Sequence, residues 1–492
     1  MKTTTLSRSI AALAALAAVS CTENREQPLN VILVMCDDLG WGDVGFNGNE
    51  IIKTPNIDRM ATSGVTFNRF YSACAVSSPT RASVLTGRSP FRMGVFNAND
   101  GILRPEEITI PELLKEQGYA TGHFGKWHLG SLTADEKDAN RGKVGNTKEL
   151  NPPSLHGYDE AFVTESKVPT WDPMIRPAGK INNTGWDYIK EGDERVQYGT
   201  AYWDIEGRKV TDNLEGDDSR VVMDRALPFI QKSVEEGKPF LSVVWFHTPH
   251  KPCVAGPEYA AMYSEYNDDF KNYAGCVTAM DDQMGRLYDY LSKSNLLENT
   301  IIWFCSDNGP ENCTTDGGGV TGGFRERKRS LYEGGVRVPA FVCGTGVKGG
   351  IKTDFPAVTS DYLPTIVALT GVDKGRCTNE LDGIDLSQLI RGEKIEERTS
   401  PIVSAYMGQV SYSDSKIKVY SKGQKMEYYD IVNDPYETTP LPITAEIEAK
   451  IKAMDETILR YKASFEGEEY GVESFDRLEQ TWKKDSKFGE RY

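Results

Sequence analysis

Three short apolar runs, each followed at once by residues able to do chemistry, constrain this chain more than any other feature. They cover residues 29–36, 240–246 and 300–305. Each is rich in Val, Ile or aromatic residues, and none alternates strictly between apolar and polar positions. Strands covered on both faces have this character, as in a parallel sheet flanked by helices. The polar sets that follow are Asp37-Asp38, His247-Thr248-Pro249-His250 and Asp307-Asn308. Helical patterns lie between the runs, over 105–117 and 273–293. Strands alternating with helices imply an α/β fold with a mostly parallel sheet. Ligands of such sheets bind beyond the carboxyl ends of the strands, so the three polar sets are expected on one edge.

The rest of the chain is organised around that unit. Residues 132–216 are rich in Asn, Asp, Gly, Lys and Pro, with Trp171, Trp186 and Trp203 interspersed. They read as long surface loops, the usual carriers of specificity. A catalytic domain is expected over 28–390. From 391 to 492 the alternating Ile-Lys-Val-Tyr and Met-Glu-Tyr-Tyr patterns, then an amphipathic stretch at 444–463, predict a smaller domain with an antiparallel sheet and a helix. Residues 1–21 read as a signal peptide: a basic start through Arg8, a short Ala/Leu-rich core, then Ala18-Val19-Ser20-Cys21. The last four resemble a bacterial lipobox, which would lipidate Cys21 and tether a secreted protein at the periplasmic or cell surface. Ordinary signal cleavage near Cys21 is the competing reading. No later segment is long and apolar enough to span a bilayer.

Net charge is −16 and the sequence pI is near 5.0. Nucleic acid is therefore excluded as a partner, because phosphate binding needs a basic footprint. An anionic substrate would have to be drawn by a few cations focused in a cleft. Beyond Cys21 there are eight cysteines, with no Cys-x-x-Cys pair, so a zinc ribbon or thioredoxin site is not indicated. Cys36, Cys305 and Cys343 lie in apolar runs and read as small buried hydrophobes. The sequence assigns no disulfide.

There are five histidines, and four fall in two clusters: His123 and His128 flanking Lys126, and His247 with His250 after an apolar run. Clustering beside other reactive groups points to a site. Asp37, Asp38, Asp307 and Asn308 make an all-oxygen donor set, which suits a hard cation such as Ca²⁺ rather than zinc. Each pair alone would read as helix capping; both pairs on one sheet edge read as a metal site.

The stretch Ser77-Ser78-Pro79-Thr80-Arg81-Ala82-Ser83-Val84-Leu85-Thr86-Gly87 reads by itself as a Pro-initiated helix capped by Ser78. It also resembles the sulfatase signature: Cys or Ser, any residue, Pro, a small residue, Arg, then Thr-Gly. A second signature of that family is recognisable at Gly118-Tyr119-Ala120-Thr121-Gly122-His123-Phe124-Gly125-Lys126-Trp127-His128-Leu129-Gly130. Further landmarks follow in order at His156-Gly157-Tyr158-Asp159, Thr248-Pro249-His250, Ser306-Asp307-Asn308-Gly309 and Lys328 through Pro339, then at Tyr429-Asp430, Asp434-Pro435 and Glu437. The resemblance spans nearly the whole chain after the signal. Thr80 stands where Ser or Ala is commoner, and Ser77 stands where many members have Cys.

The resemblance implies an alkaline-phosphatase-like fold, a large mixed and mostly parallel sheet between helices, and a sulfuric ester hydrolase. It implies that a radical maturase converts Ser77 to formylglycine (3-oxoalanine), whose hydrate attacks sulfur with one hydroxyl and expels sulfate with the other. Ca²⁺ would be held by Asp37, Asp38, Asp307 and Asn308, with the residue at 77 as a further ligand. Arg81, one helical turn on, would orient the diol and pair with the metal carboxylates. Lys126 and Lys328 would bind sulfate oxygens. His128 is the candidate base and His250 the candidate acid. His247 has no family role, and is expected either to touch the sugar or to pack. The expected substrate is a sulfated carbohydrate, with galactose or N-acetylgalactosamine sulfates favoured. The Trp-bearing loops would stack on sugar faces or anchor themselves to the core. The alternatives are a non-enzymatic lipoprotein that binds sulfated glycans, and a phosphoester hydrolase of the same superfamily.

Overall fold

A computed structural model describes residues 28–464 other than 313, 315 and 316. The signal and lipidation readings, and the end of the C-terminal region, lie outside the described residues. Among the described residues ten strands form one sheet: β1 (Asn30–Cys36), β2 (Val65–Phe67), β3 (Ala120–Lys126), β4 (Glu160–Thr164), β5 (Tyr202–Asp204), β6 (Lys209–Val210), β7 (Phe240–Trp245), β8 (Thr300–Ser306), β9 (Ala340–Gly344) and β10 (Ile351–Thr353). Their order across the sheet is β10-β2-β9-β8-β1-β7-β3-β4-β5-β6. The five central strands, β8-β1-β7-β3-β4, are mutually parallel. β9 and β5 run antiparallel to the strands beside them on either side.

The three apolar runs are the centre of this sheet, and β1 shows why its sequence does not alternate. Val31, Leu33 and Met35 point into one core, where they join Val84 and Leu85. Ile32, Val34 and Cys36 point into the other, where they meet Val222 and Met280. Both faces are apolar because helices cover both. The helices that concern the site and its supports are α1 (Pro55–Ser63), α2 (Ser77–Thr86), α3 (Ile110–Glu116), α4 (Asp218–Glu235), α5 (Asp268–Lys293) and α6 (Ala445–Ala463). No described helix is long and apolar enough to cross a membrane.

Two helix boundaries differ from the sequence reading. α3 begins at Ile110 rather than 105, because Thr109 and Glu112 form a reciprocal capping box that fixes the start. α5 begins at Asp268, five residues before the expected 273, where the Asn267 side chain accepts from the Phe270 amide.

The C-terminal region forms an antiparallel meander, β11 (Ile402–Tyr406), β12 (Gln409–Ser413), β13 (Ile417–Lys422) and β14 (Lys425–Asp430). α6 packs on it through Met454, Ile458 and Tyr461 against Val403, Val410 and Val419. Buried polar contacts tie the meander to the main sheet's loops. Lys418 reaches Glu333 and Glu437, each at 2.9 Å, and the Tyr332 hydroxyl donates to Glu427 at 2.6 Å.

Candidate active site

The carboxyl ends of β1, β8, β7 and β3 deliver Asp37-Asp38, Asp307-Asn308, His247 through His250, and Lys126 to His128. Backbone bonds set the register: the Asp37 amide donates to the Thr248 carbonyl at 3.1 Å, and the Asp307 amide to the Cys36 carbonyl at 3.0 Å. Gly125 has φ +104, and a Cβ there would lie 2.0 Å from the Trp245 carbonyl oxygen. Glycine therefore lets β3 close on β7 immediately before it presents Lys126. Asp38, His128 and Arg329 are non-glycine residues at φ 68, 57 and 73. Left-handed backbone at such residues costs roughly 1–3 kcal/mol each and gathers where side chains must be aimed.

α2 brings Ser77 to the same edge. The sequence reading made Ser78 the cap; instead the helix starts at Ser77 with extended Val76 before it. Ser78 is diverted because its hydroxyl donates to the His128 carbonyl at 2.6 Å. That bond ties the start of α2 to the Lys126–His128 segment. Ser77 Oγ lies 3.2 Å from Asp37 Oδ1 and 3.5 Å from Asn308 Oδ1. The helix start also turns its electropositive end towards the cluster, favouring an anion there.

The charges are buried and matched. Lys126 Nζ is 2.6 Å from Asp37 Oδ2, and Lys328 Nζ is 2.6 Å from Asp38 Oδ1. Arg81, fully buried, donates to Asp307 Oδ2 at 2.7 Å, lies 3.7 Å from Asp37, and stacks on Trp245. Burial alone would raise the Asp37 carboxyl, but Lys126 above all, with Arg81 and Lys328, overcomes it and holds Asp37 well below the usual range. Burial and the neighbouring Asp37 push Asp307 up to about 6 against the pull of Arg81.

These donors fit a hard divalent cation. Asp37, Asp38 and His250 bring ligand atoms within 4.8 Å of one another. Asp307 Oδ1 accepts from the Asp38 amide at 3.1 Å, which places its carboxylate beside the pair. Asn308 donates its Nδ2 to Asp38 Oδ1 at 2.6 Å, and a half-turn of that amide would present its oxygen instead. Three acids crowded out of water repel one another, and a cation between them relieves that repulsion.

The histidines divide into two kinds. His128 is held by Asn99, with 2.9 Å between Nε2 and Oδ1; its Nδ1 has no hydrogen-bond partner. Burial, then Lys126 and Arg141, keep its imidazole well below the ordinary range and hence neutral. His250 Nδ1 donates to the Lys251 carbonyl at 2.7 Å, so a neutral His250 leaves Nε2 bare, 3.7 Å from Asp38. Of the two readings of His247, packing holds and the sugar contact does not. It is fully buried, with Nδ1 2.8 Å from Asp218 and Nε2 2.7 Å from Thr164. Both nitrogens are engaged, so it props the end of β4 against α4. His123 and His156 are buried structural residues, bonded to the Lys126 carbonyl and to Asn151.

Several participants carried no clear sequence signal: Asn99, Glu165 with Arg141, Lys167, and Glu311 with Arg329. Glu165 and Lys167 stand one and three positions beyond β4, but that strand has no apolar run long enough to mark its end in the sequence. Of the three tryptophans, Trp203 is buried and donates to Asp138 at 3.1 Å, while Trp171 packs against Gly256. Trp171 anchors its loop, and Trp203, within β5, packs a strand where the sequence reading had loops.

A parallel sheet whose carboxyl edge carries a hydroxyl at a helix start, clustered acids and inward-facing cations defines the hydrolases of the alkaline-phosphatase-like superfamily. Within that class the chain belongs to the sulfatase family of sulfuric ester hydrolases: the Sulfatase family model matches residues 29–372. It is 31% identical to arylsulfatase A of Bos taurus over 85% of this chain and 80% of the bovine protein. It is 29% identical to N-acetylgalactosamine-6-sulfatase of Canis lupus familiaris over 76% of this chain and 68% of the canine one. Among solved structures, Ps i-CgsB in complex with k-i-k-neocarrahexaose superposes with a TM-score of 0.71 at 26% identity, covering 94% of this chain and 98% of that one.

Proposed function

We propose that this chain hydrolyses sulfate esters of carbohydrates, using formylglycine made from Ser77 and a bound Ca²⁺. The observation that carries the reading is Ser77 itself, at the first position of a buried helix, 3.2 Å from one acid of the cluster, with Arg81 one turn behind it. A plain serine could attack sulfur once, but it would leave a sulfated enzyme with no internal means of release. The hydrated aldehyde supplies a second hydroxyl whose deprotonation expels sulfate. A radical maturase that takes two electrons and two protons from the Ser77 Cβ alcohol is the implied partner.

Asp37, Asp38, Asp307, Asn308 and residue 77 would hold the cation, which lowers the pKa of a nearby hydroxyl and offsets sulfate charge. Lys126 and Lys328 bind sulfate oxygens and stabilise charge as it shifts to the leaving oxygen. His128 takes the proton when sulfate is expelled, through its unpartnered Nδ1. His250 must carry a proton on Nε2 to serve the leaving alcohol, and an incoming sulfate anion favours that protonation. This acid step is worth roughly 10²–10⁴-fold.

The carbohydrate reading draws on the names of the relatives, N-acetylgalactosamine-6-sulfatase and the neocarrahexaose complex. It favours sulfated galactose or N-acetylgalactosamine. The protein would act outside the cytoplasm, at the periplasmic or cell surface, tethered through lipidated Cys21. A panel of sulfated mono- and disaccharides, assayed for sulfate release with matured protein, tests the reading. Turnover of a galactose- or N-acetylgalactosamine-type sulfate is expected; turnover of simple aryl sulfates alone would overturn the carbohydrate assignment.

A further inference from the structure

Lys167 is a cation the proposed chemistry does not use. It lies three residues beyond β4, in a segment that runs beside the Lys126–His128 strand end: the Trp127 amide donates to the Thr164 carbonyl at 2.9 Å and the His128 amide to the Glu165 carbonyl at 3.0 Å. Lys167 is half-buried, yet its ammonium forms no hydrogen bond or ion pair with any described residue. Burial, then the charges of Lys251 and Lys328, depress its pKa, while Asp37 and Asp38 oppose them.

The two inner acids that act on it already have cation partners. Asp37 is taken by Lys126 and Asp38 by Lys328, each at 2.6 Å. At the rim, Glu311 is shared by Arg329 at 2.7 Å and Lys251 at 3.7 Å. A partly desolvated ammonium among like charges is unfavourable unless an anion completes it. A sulfate monoester brings one negative charge to the inner site, where Lys126, Lys328 and the helix start already face it. The cations beyond Lys328 then exceed what Glu311 neutralises. The segment bearing Lys167 runs on to Thr170, whose amide donates to the Pro252 carbonyl at 3.3 Å. Pro252 is two residues after His250, the residue assigned to the leaving oxygen, so the segment passes on the leaving-group side.

We infer that Lys167, with Lys251 beside it, binds a second anionic group on the substrate, a sulfate or carboxylate carried on the leaving saccharide. This deepens the sulfatase reading above and rests on it. The preferred substrate is then a multiply charged glycan, and Lys167 sets specificity without acting in the chemical steps.

The test uses full-length protein with residue 77 converted, as the native chain, Lys167→Met and Lys167→Arg. Each is assayed on matched N-acetylgalactosamine and galactose saccharides of three kinds: one sulfate, two sulfates, and one sulfate beside a uronate. Native protein should favour the second-anion forms by at least about tenfold in kcat/KM, mostly through KM, as expected for one charge-assisted bond. Lys167→Met should collapse that ratio towards one, and Lys167→Arg should keep it. The two second-anion arms show whether sulfate or carboxylate is preferred. A native ratio near one, or an equal loss on every saccharide in a Lys167→Met protein with native melting, overturns the inference. So does hydrolysis of an aryl sulfate with no saccharide in any arm turned over. If converted protein hydrolyses no sulfate ester at all, the underlying catalytic reading fails instead.

Discussion

At the scale of single residues, the site is a set of buried charges that tolerate one another through close pairing. Arg81 carries most of this, since it meets two of the three inner acids and has no exposure. Arg81→Met leaves Asp307 without its counter-charge in the interior, so unfolding free energy should drop by about 3–5 kcal/mol in urea titrations. A variant as stable as the native chain would mean that Asp307 is neutral in the folded protein. His247 shows how residue identity can mislead: a histidine two positions after an apolar strand is open to a substrate contact by sequence, but Asp218 and Thr164 occupy both nitrogens. Nothing in the local sequence announces Asp218, which arrives from a helix 29 residues earlier.

At the scale of elements, legibility followed composition. β1, β7 and β8 were readable because branched and aromatic residues fill them. β3, Ala-Thr-Gly-His-Phe-Gly-Lys, was not, because its glycines and histidine give no apolar signal. Its place is fixed by neighbours, as at Gly122, where a Cβ would meet the Phe124 and Phe229 rings. The strand-end acids were legible for the same reason as their strands. Asn99, Lys167 and Glu311 were not, since each lies on a loop rather than at the end of an apolar strand. The C-terminal meander adds a pH dependence through β14. Burial would raise the Glu427 carboxyl, but Lys425, Tyr332, Tyr429 and Arg325 hold it down, at about 2 against an ordinary 4.5. A folded-state pKa below the unfolded one gives stability that is complete above about pH 4.5 and is lost as pH falls towards 2. Glu427→Gln should flatten the acid limb of melting temperature against pH in that window. An unchanged limb would assign acid sensitivity to other carboxylates.

At the scale of the whole molecule, two cores and a docked meander serve one edge of one sheet. If the acid cluster holds the proposed cation, that edge is tied to overall stability, since a cation binding only the folded chain adds RT ln(1 + [L]/Kd), about 2.7 kcal/mol at a hundredfold excess over Kd. Calcium should therefore raise the melting temperature of chelator-stripped protein by several degrees. Identical melting with and without calcium would count against the metal assignment. The acidic surface, net −16, repels polyanions except where these inward-facing cations focus a positive field.

On the proposed function Ser77 is a precursor, and the aldehyde made from it performs the turnover. The most direct test measures, on one preparation, the mass of the peptide containing residues 77–81 and the rate of sulfate release. Samples should span a range of conversion, from protein expressed with and without a serine-type maturase. The converted peptide should be lighter by two hydrogens, with activity proportional to its fraction and absent at zero conversion. Multiple turnover by protein carrying only unconverted serine would contradict it.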